Sequence, residues 1–156
     1  VNPKGYVPLL VLDDGTPISE ASVILQYLAD QKPGTLAPAF GSLARWKMME
    51  LLTFLATEVH KGFSALWNPA TPAEVRKGAV DRLGTRFDIL AQTLAKQPYL
   101  TGDKFSIADA YLFVLLNWTK IHKVDLGRWP ALTEFQSRVA ARAAVQATFK
   151  AEGLVK

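Results

Sequence analysis

The chain has 156 residues, of which 49% are hydrophobic, and its 18 Lys and Arg against 14 Asp and Glu give a formal net charge of +4. This length and composition predict one or two compact units with a buried core, and the scattered basic residues argue against nucleic acid or membrane partners. The sequence contains no cysteine, which excludes disulfides, thiolate metal sites and a cysteine nucleophile within these residues.

The chain opens with the pattern of an antiparallel β-hairpin. An apolar run over 9–12, the turn sequence Asp13-Asp14-Gly15 and a short return segment over 16–18 follow one another directly. Pro8 cannot donate to a central ladder, so it belongs at the start or edge of the first strand, and we expect the Val7-Pro8 bond to be cis.

A helix is predicted immediately after the hairpin. Apolar residues recur at helical spacing over 22–28, and Ser19 or Glu20 marks the helix N-terminus. The free N–H groups of such an N-terminus can bind a carboxylate. An ordinary helix cap without a ligand explains the same pattern, and spacing alone favours that simpler interpretation.

The remainder of the chain predicts a helical bundle. Proline and glycine break the first helix and indicate a linker over 31–41, and an apolar stripe then predicts a helix over 42–64. The next helix is expected to start with Thr71 as N-cap, followed by Pro72 in its first turn and Glu74 as capping-box partner, and to end near residue 96.

The most apolar segment, FSIADAYLFVLLNWTKI, predicts the central buried helix. Ser106 and Asp109 have the S-x-x-D spacing of a capping box, in which each side chain bonds the other residue's amide. Two further helices are predicted, from Trp129-Pro130 to about Arg142 and over 145–151.

A β-β-α unit, a linker and a bundle whose core helix begins F-S-I-A-D-A resemble the glutathione transferases. The motifs NPKGxVP, LDDG, QYLAD, ATEVHKGF, FSIADAYLF and AEGL resemble the bacterial beta class over essentially the whole chain. The resemblance implies an α+β fold: the C-terminal half (β-β-α) of a thioredoxin-like domain over 1–30, the linker over 31–41 and an all-α bundle over 42–156. It also implies that the opening strand-helix-strand part of the first domain is absent from this chain.

The resemblance assigns one half of a glutathione site to the hairpin and first helix. Pro8 is the implied cis proline, and the backbone of Val7 is implied to pair with the cysteinyl part of glutathione. Glu20 and the amide of Ala21 are implied to hold the γ-glutamyl end. The family often has serine at the position of Ala21, so a hydroxyl contact is missing here, which Ser22 could replace.

The motif ATEVHKGF carries the other implied site residues. His60 and Lys61 are implied to line the active site, with Thr57 one helical turn before His60 on the same face. The beta class commonly has asparagine at the position of Thr53, a second departure. Trp118 is implied to border the pocket for a hydrophobic co-substrate.

Each of these assignments has a structural alternative. Without the resemblance, His60 is more often an exposed or core residue than a catalytic one. Trp118 has an equal claim to core packing, and we expect Trp46 and Trp67 to be core residues. His122 is expected at the surface.

The implied function is conjugation of the glutathione thiol to hydrophobic electrophiles, with thiol-disulfide exchange as a further activity. Glutathione is then a co-substrate, no metal is needed, and a cytoplasmic homodimer is expected. Since the thiolate is the nucleophile, His60 is hypothesised to accept a proton near the sulfur. Alternatively, the chain is a truncated binding or stabilising module without catalysis; a third possibility is an unrelated helical scaffold. Intact mass well above 17.1 kDa favours the enzyme, and a mass at that value favours the module.

Overall fold

The computed structural model describes residues 2–155 and begins with the predicted hairpin. Strands β1 (Leu9–Val11) and β2 (Pro17–Ser19) pair antiparallel, with Leu10 opposite Ile18. In the turn between them, Gly15 adopts a φ of 85°, which glycine reaches without steric cost. The Val7–Pro8 peptide bond is cis, as predicted.

Helix α1 (Ala21–Asp30) follows β2 directly, and residues 31–42 then cross to the helical part without regular structure. This connection is fixed to the bundle because the amide of Ile107 donates to the carbonyl oxygen of Leu36 at 3.0 Å. Ala37, in the same segment, is buried. The connection is therefore part of the packed structure.

The helix predicted over 42–64 is a continuous helical run whose geometry changes along its length. It consists of α2 (Leu43–Phe54), a π-helical segment (Leu55–His60), a 3₁₀ segment (Lys61–Phe63) and α3 (Ser64–Trp67). π-helical turns are uncommon and occur often at functional sites. This one contains most of the ATEVHKGF motif.

Helix α4 (Ala73–Leu94) begins one residue later than predicted. Its N-cap is Pro72, with no side-chain cap, so the prediction of Thr71 as N-cap with a Glu74 box is wrong. The reason is that Pro72 itself has a ψ of 146°, outside the helical region, so the helix begins after it and Thr71 stays in the preceding turn. Thr71 instead donates its amide to the Asn68 carbonyl oxygen at 3.1 Å.

Three more helices complete the bundle, and the first of them is its centre. Nine residues of that helix are buried, as its apolar sequence predicts, and the capping box of Ser106 and Asp109 is present. Within residues 2–155, no helix has the length and apolar character needed to cross a membrane. The three helices are α5 (Ile107–His122), α6 (Pro130–Ala140) and α7 (Ala143–Ala151).

Gly62 allows α4 to pack closely against the segment that carries His60 and Lys61. A Cβ atom at Gly62 would lie 2.7 Å from Cδ2 of the buried Leu83. We therefore expect Gly62→Ala to lower the free energy of unfolding by about 1–3 kcal/mol, as overpacked cores do. Chemical denaturation measures this.

The matched control for that substitution is Gly78→Ala. Gly78 lies in α4, and a Cβ there meets only the end of the Arg82 side chain, at 3.5 Å. Alanine at this helical position should be neutral or stabilising. Equal stability of the Gly62→Ala variant and the unsubstituted protein would contradict the close-packing argument.

Candidate functional site

A cleft of about 690 Å³ lies where the hairpin end of the chain meets the helical bundle. One wall consists of residues 2 and 4–8, and residues 19–21 at the start of α1 form a second. The bundle supplies the third wall, with the side chains of Ala56, His60, Lys61, Trp67 and Tyr111. Polar groups from distant parts of the sequence thus converge on one concave site, as in ligand pockets generally.

The first wall offers an unpaired backbone. Val7 is 90% exposed, and within residues 2–155 neither its N–H nor its carbonyl oxygen has a hydrogen-bond partner. The cis bond to Pro8 lies at the entry to β1, which pairs only with β2 in the described sheet. An extended peptide can pair with such a backbone as an added strand does.

The second wall is the N-terminus of α1. Glu20 is its N-cap residue and has a φ of 74° and a ψ of 118°, a conformation that costs energy for any residue other than glycine. Among the described residues its side chain makes no capping hydrogen bond, and its carboxylate lies 3.9 Å from Nζ of Lys4. The carboxylate of Glu20 and the first free amides of α1, beginning with Ala21, therefore face the same space.

His60 is the imidazole of the cleft. Its Nδ1 lies 2.7 Å from the hydroxyl oxygen of Tyr111, and its ring meets the ring of Trp118 edge to face at 4.7 Å. Burial lowers the pKa of His60, neighbouring Lys61 lowers it further, and Glu20 opposes the change. His60 is therefore neutral at pH 7.

Tyr111 is the cleft residue that sequence reasoning missed. It lies on α5 and is 7% exposed, and burial, assisted by the negative charge of Glu20, raises its pKa to about 12. The available signal was a phenol within an otherwise apolar helix, because a buried tyrosine hydroxyl usually has a hydrogen-bond partner.

Six of the eight predicted site residues line this cleft: Val7, Pro8, Glu20, Ala21, His60 and Lys61. Thr57 does not. It is exposed, and its hydroxyl donates to the Thr53 carbonyl oxygen at 2.9 Å. Because a π-helical turn contains more residues than an α-helical turn, Ala56 rather than Thr57 lies one turn before His60.

The tryptophans differ from expectation. Trp118 lies behind His60, in edge contacts with Phe63 and Trp67, and is not among the lining residues. Trp67 is 49% exposed and lines the cleft, and Trp46 is 56% exposed, so the prediction that both are core residues is wrong. Helical spacing alone does not tell which large apolar side chains lie on an open face.

His122, predicted at the surface, is partly exposed. It packs edge to face on Trp67 at 4.3 Å, and its Nε2 is buried without a partner among the described residues. The aromatic side chains behind the cleft therefore continue to the end of α5.

A second cleft, of about 570 Å³, lies between the connection over 34–38 and the loop before α5. It contains Lys47 and Lys104, but none of the described residues lining it is a histidine. The α5 N-terminus beside it is already capped by Asp109. We therefore place the functional site in the first cleft.

Two family models match the chain. Residues 54–143 match the model described as "Glutathione S-transferase, C-terminal domain", and residues 1–31 match "Glutathione S-transferase, N-terminal domain". The chain is 42% identical to the Glutathione S-transferase GstA of Escherichia coli O157:H7, over 99% of this chain and 77% of that protein.

Solved structures agree with these matches. A sphingomonad glutathione S-transferase complexed with glutathione is 42% identical, with a TM-score of 0.93 over 99% of this chain and 77% of that one. A beta class glutathione S-transferase from Sphingomonas chungbukensis is 40% identical, with a TM-score of 0.94 over 99% of this chain and 78% of that one. The predicted fold, a thioredoxin-like β-β-α part followed by an all-helical domain, is confirmed. The chain belongs to the glutathione S-transferase family.

Proposed function

We propose that the protein is a glutathione transferase that binds glutathione in the 690 Å³ cleft and conjugates its thiol to hydrophobic electrophiles. The observation that carries this proposal is the convergence of three features on one cleft. They are the unpaired backbone of Val7, the α1 N-terminus with Glu20, and the His60–Lys61 pair. The 42% identity to GstA and the 40% identity to a beta class structure support the same activity and class.

Glutathione fits the first two walls by its chemistry. Its γ-glutamyl end carries a carboxylate, which suits the free amides at Ala21, and an ammonium group, which suits the carboxylate of Glu20. Its cysteinyl part is a peptide unit that can pair with the backbone of Val7 after the cis Pro8. The three contacts together would orient the thiol away from the hairpin.

On this arrangement the thiol faces the helical wall. The thiolate attacks the electrophilic carbon, a carbon–sulfur bond forms, and the leaving group departs with its electron pair. The positive charge of Lys61 and the imidazole of His60 both favour the thiolate over the thiol. We propose Trp67 as the apolar wall beside the electrophile, with Trp118 supporting His60 from behind.

We further propose two domains, over 1–30 and 42–156 with the linker over 31–41, and a homodimer. The family models match separately over 1–31 and 54–143, which supports this division. Near the start of α2, the apolar side chains of Phe40, Leu43 and Trp46 are 81%, 76% and 56% exposed, a patch suited to a partner protomer. Thr57 is exposed and does not line this cleft. It would contact glutathione only if the ligand extended beyond the cleft.

The cytoplasm is the compartment that suits this function. Reduced thiols persist there, and a transferase that uses the glutathione thiol needs its reduced form.

The role of Glu20 is tested by Glu20→Gln in the full-length protein. The amide keeps the shape of the side chain and removes the charge that pairs with the γ-glutamyl ammonium, so glutathione affinity should fall about tenfold. Isothermal titration with glutathione measures the affinity. Glu50→Gln is the matched control, because Glu50 is exposed and paired with Lys47, outside the cleft. If the two variants bound glutathione with equal affinity, Glu20 would have no role in binding glutathione.

A further inference from the structure

The hydrogen bond between His60 and Tyr111 determines which nitrogen of the imidazole is free to act. Nδ1 is 2.7 Å from the Tyr111 hydroxyl, so it is the nitrogen turned toward the bundle. Within residues 2–155, Nε2 of His60 has no hydrogen-bond partner, and this atom is not buried. It is therefore the nitrogen open to the cleft.

The direction of this hydrogen bond follows from the chemistry of the two groups. The pKa of Tyr111 is raised to about 12, so its hydroxyl keeps its proton. The pKa of His60 is lowered, so the ring is neutral and has one accepting nitrogen. A phenol is a better donor and a poorer acceptor than a neutral imidazole. The phenol O–H therefore donates to Nδ1.

We propose that Tyr111 is a positioning residue that holds neutral His60 in the tautomer protonated at Nε2, so that His60 presents an N–H donor, and not a proton acceptor, to the glutathione sulfur. This inference rests on the proposed function for the identity of the ligand, but the tautomer itself is a property of the free protein. It replaces the hypothesis that His60 accepts the thiol proton.

The surroundings of the ring support a fixed orientation. Trp118 meets one side of the imidazole edge to face, and the charged groups that act on it are Lys61 and Glu20. Neither of these charged residues has a hydrogen bond to His60. Among the described residues, Tyr111 is thus the hydrogen-bond partner that distinguishes the two nitrogens of the His60 ring.

The proton balance follows directly. The glutathione thiol loses its proton to solvent, and the thiolate accepts a hydrogen bond from Nε2–H of His60. When the carbon–sulfur bond forms, the leaving group takes its electron pair and the sulfur becomes neutral. His60 is neutral before and after, so a donated hydrogen bond stabilises the thiolate without proton transfer.

The test is nitrogen–proton correlation NMR of the nitrogen-labelled full-length protein without ligand. The chain has two histidines, so a His122→Asn variant assigns their signals. At a pH where His60 is neutral, we expect the pattern of an Nε2–H tautomer. The pattern of an Nδ1–H tautomer would overturn the proposal, and this measurement needs no substitution at Tyr111.

Tyr111→Phe gives a second, independent readout. Removing a donor to Nδ1 should let both tautomers populate and should raise the measured pKa of His60, because that donor favours the neutral ring. A lowered pKa would mean that His60 is the donor and would overturn the proposal. Tyr99→Phe, which removes a hydroxyl in the loop before α5 and outside the cleft, should leave the pKa of His60 unchanged.

Activity separates this proposal from the proposed function. With an aryl halide as electrophile, Tyr111→Phe should lower kcat about tenfold with little change in KM for glutathione. An unchanged kcat would overturn the positioning role. A protein with the Nε2–H tautomer that fails to bind glutathione by titration would contradict the proposed function while leaving the tautomer assignment intact.

Discussion

Replacing Asp109 with alanine should lower the free energy of unfolding by about 3–5 kcal/mol, since buried donors that lose their acceptor carry the full cost of desolvation. Asp109 is fully buried at the N-terminus of α5. Its carboxylate accepts from the amide of Leu100 at 2.7 Å, and from the amide and hydroxyl of Ser106 at 2.8 and 2.7 Å. The cost exceeds that of a typical lost cap because the carboxylate joins the loop before α5 to the helix as well as capping it.

Thermal and chemical denaturation of a graded series tests this prediction. Ser106→Ala removes one hydroxyl and leaves the carboxylate with two amide donors, so its loss should be about 1 kcal/mol. Asp103→Ala, in the same loop but exposed, should change stability by less than about 0.5 kcal/mol. If the Asp109 and Asp103 variants were equally stable, the buried carboxylate would have no special role.

The capping box was predictable because its residues are three positions apart, and cap chemistry depends on the local sequence. The hairpin was predictable for the same reason, since the turn sequence Asp13-Asp14-Gly15 determines where the chain reverses. These local rules, with helical periodicity, account for the order of the elements.

The π-helical segment over 55–60 was not predictable in this way. Its apolar residues fit an ordinary α-helix, and the wider turn becomes visible only in the folded chain. Ala56, four positions before His60, lies near the face of His60 with either turn, and the wider turn moves Thr57 away from that face and out of the cleft lining. α-Helical spacing predicts Thr57 on the face of His60, and this spacing does not hold where the turn is π-helical.

The contact between His60 and Tyr111 joins residues 51 positions apart, and it depends on how α5 packs against the π-helical segment. Periodicity shows that both helices have buried faces, but it does not pair particular side chains across them. The resemblance predicted six residues of the cleft, His60 among them, but the contact of His60 with Tyr111 is visible only in the tertiary structure.

A second large effect is expected at the junction between α1 and α2. The guanidinium of Arg45 is 2% exposed and donates to both carboxylate oxygens of Asp30, at 2.7 and 2.8 Å. Asp30→Ala would leave this buried cation without its counter-ion, and stability should fall by about 3 kcal/mol. Weaker contacts of Arg45, to the Pro38 carbonyl oxygen at 3.3 Å and the Gln26 amide oxygen at 3.4 Å, do not neutralise its charge.

The reverse substitution should cost less. Asp30 has a side chain 44% exposed, so Arg45→Met leaves a carboxylate that water can solvate, while methionine fills much of the buried volume. The Asp30→Ala/Arg45→Met double variant should therefore recover most of the stability lost in Asp30→Ala. Failure of the double variant to recover would show that packing, and not the uncompensated charge, causes the loss.

The same ion pair makes the junction sensitive to acid. Arg45 lowers the pKa of Asp30, so the unfolded chain binds a proton at a higher pH than the folded chain does. The stabilisation is complete above the unfolded pKa of about 4 and is lost as the pH falls through the folded value. The stability difference between the unsubstituted protein and Asp30→Ala should therefore shrink in that acid range. At neutral pH, hydrogen exchange of the Asp30→Ala variant should show the first loss of amide protection in α1, because Asp30 fixes that helix to the bundle. The N-terminus of α1 carries Glu20.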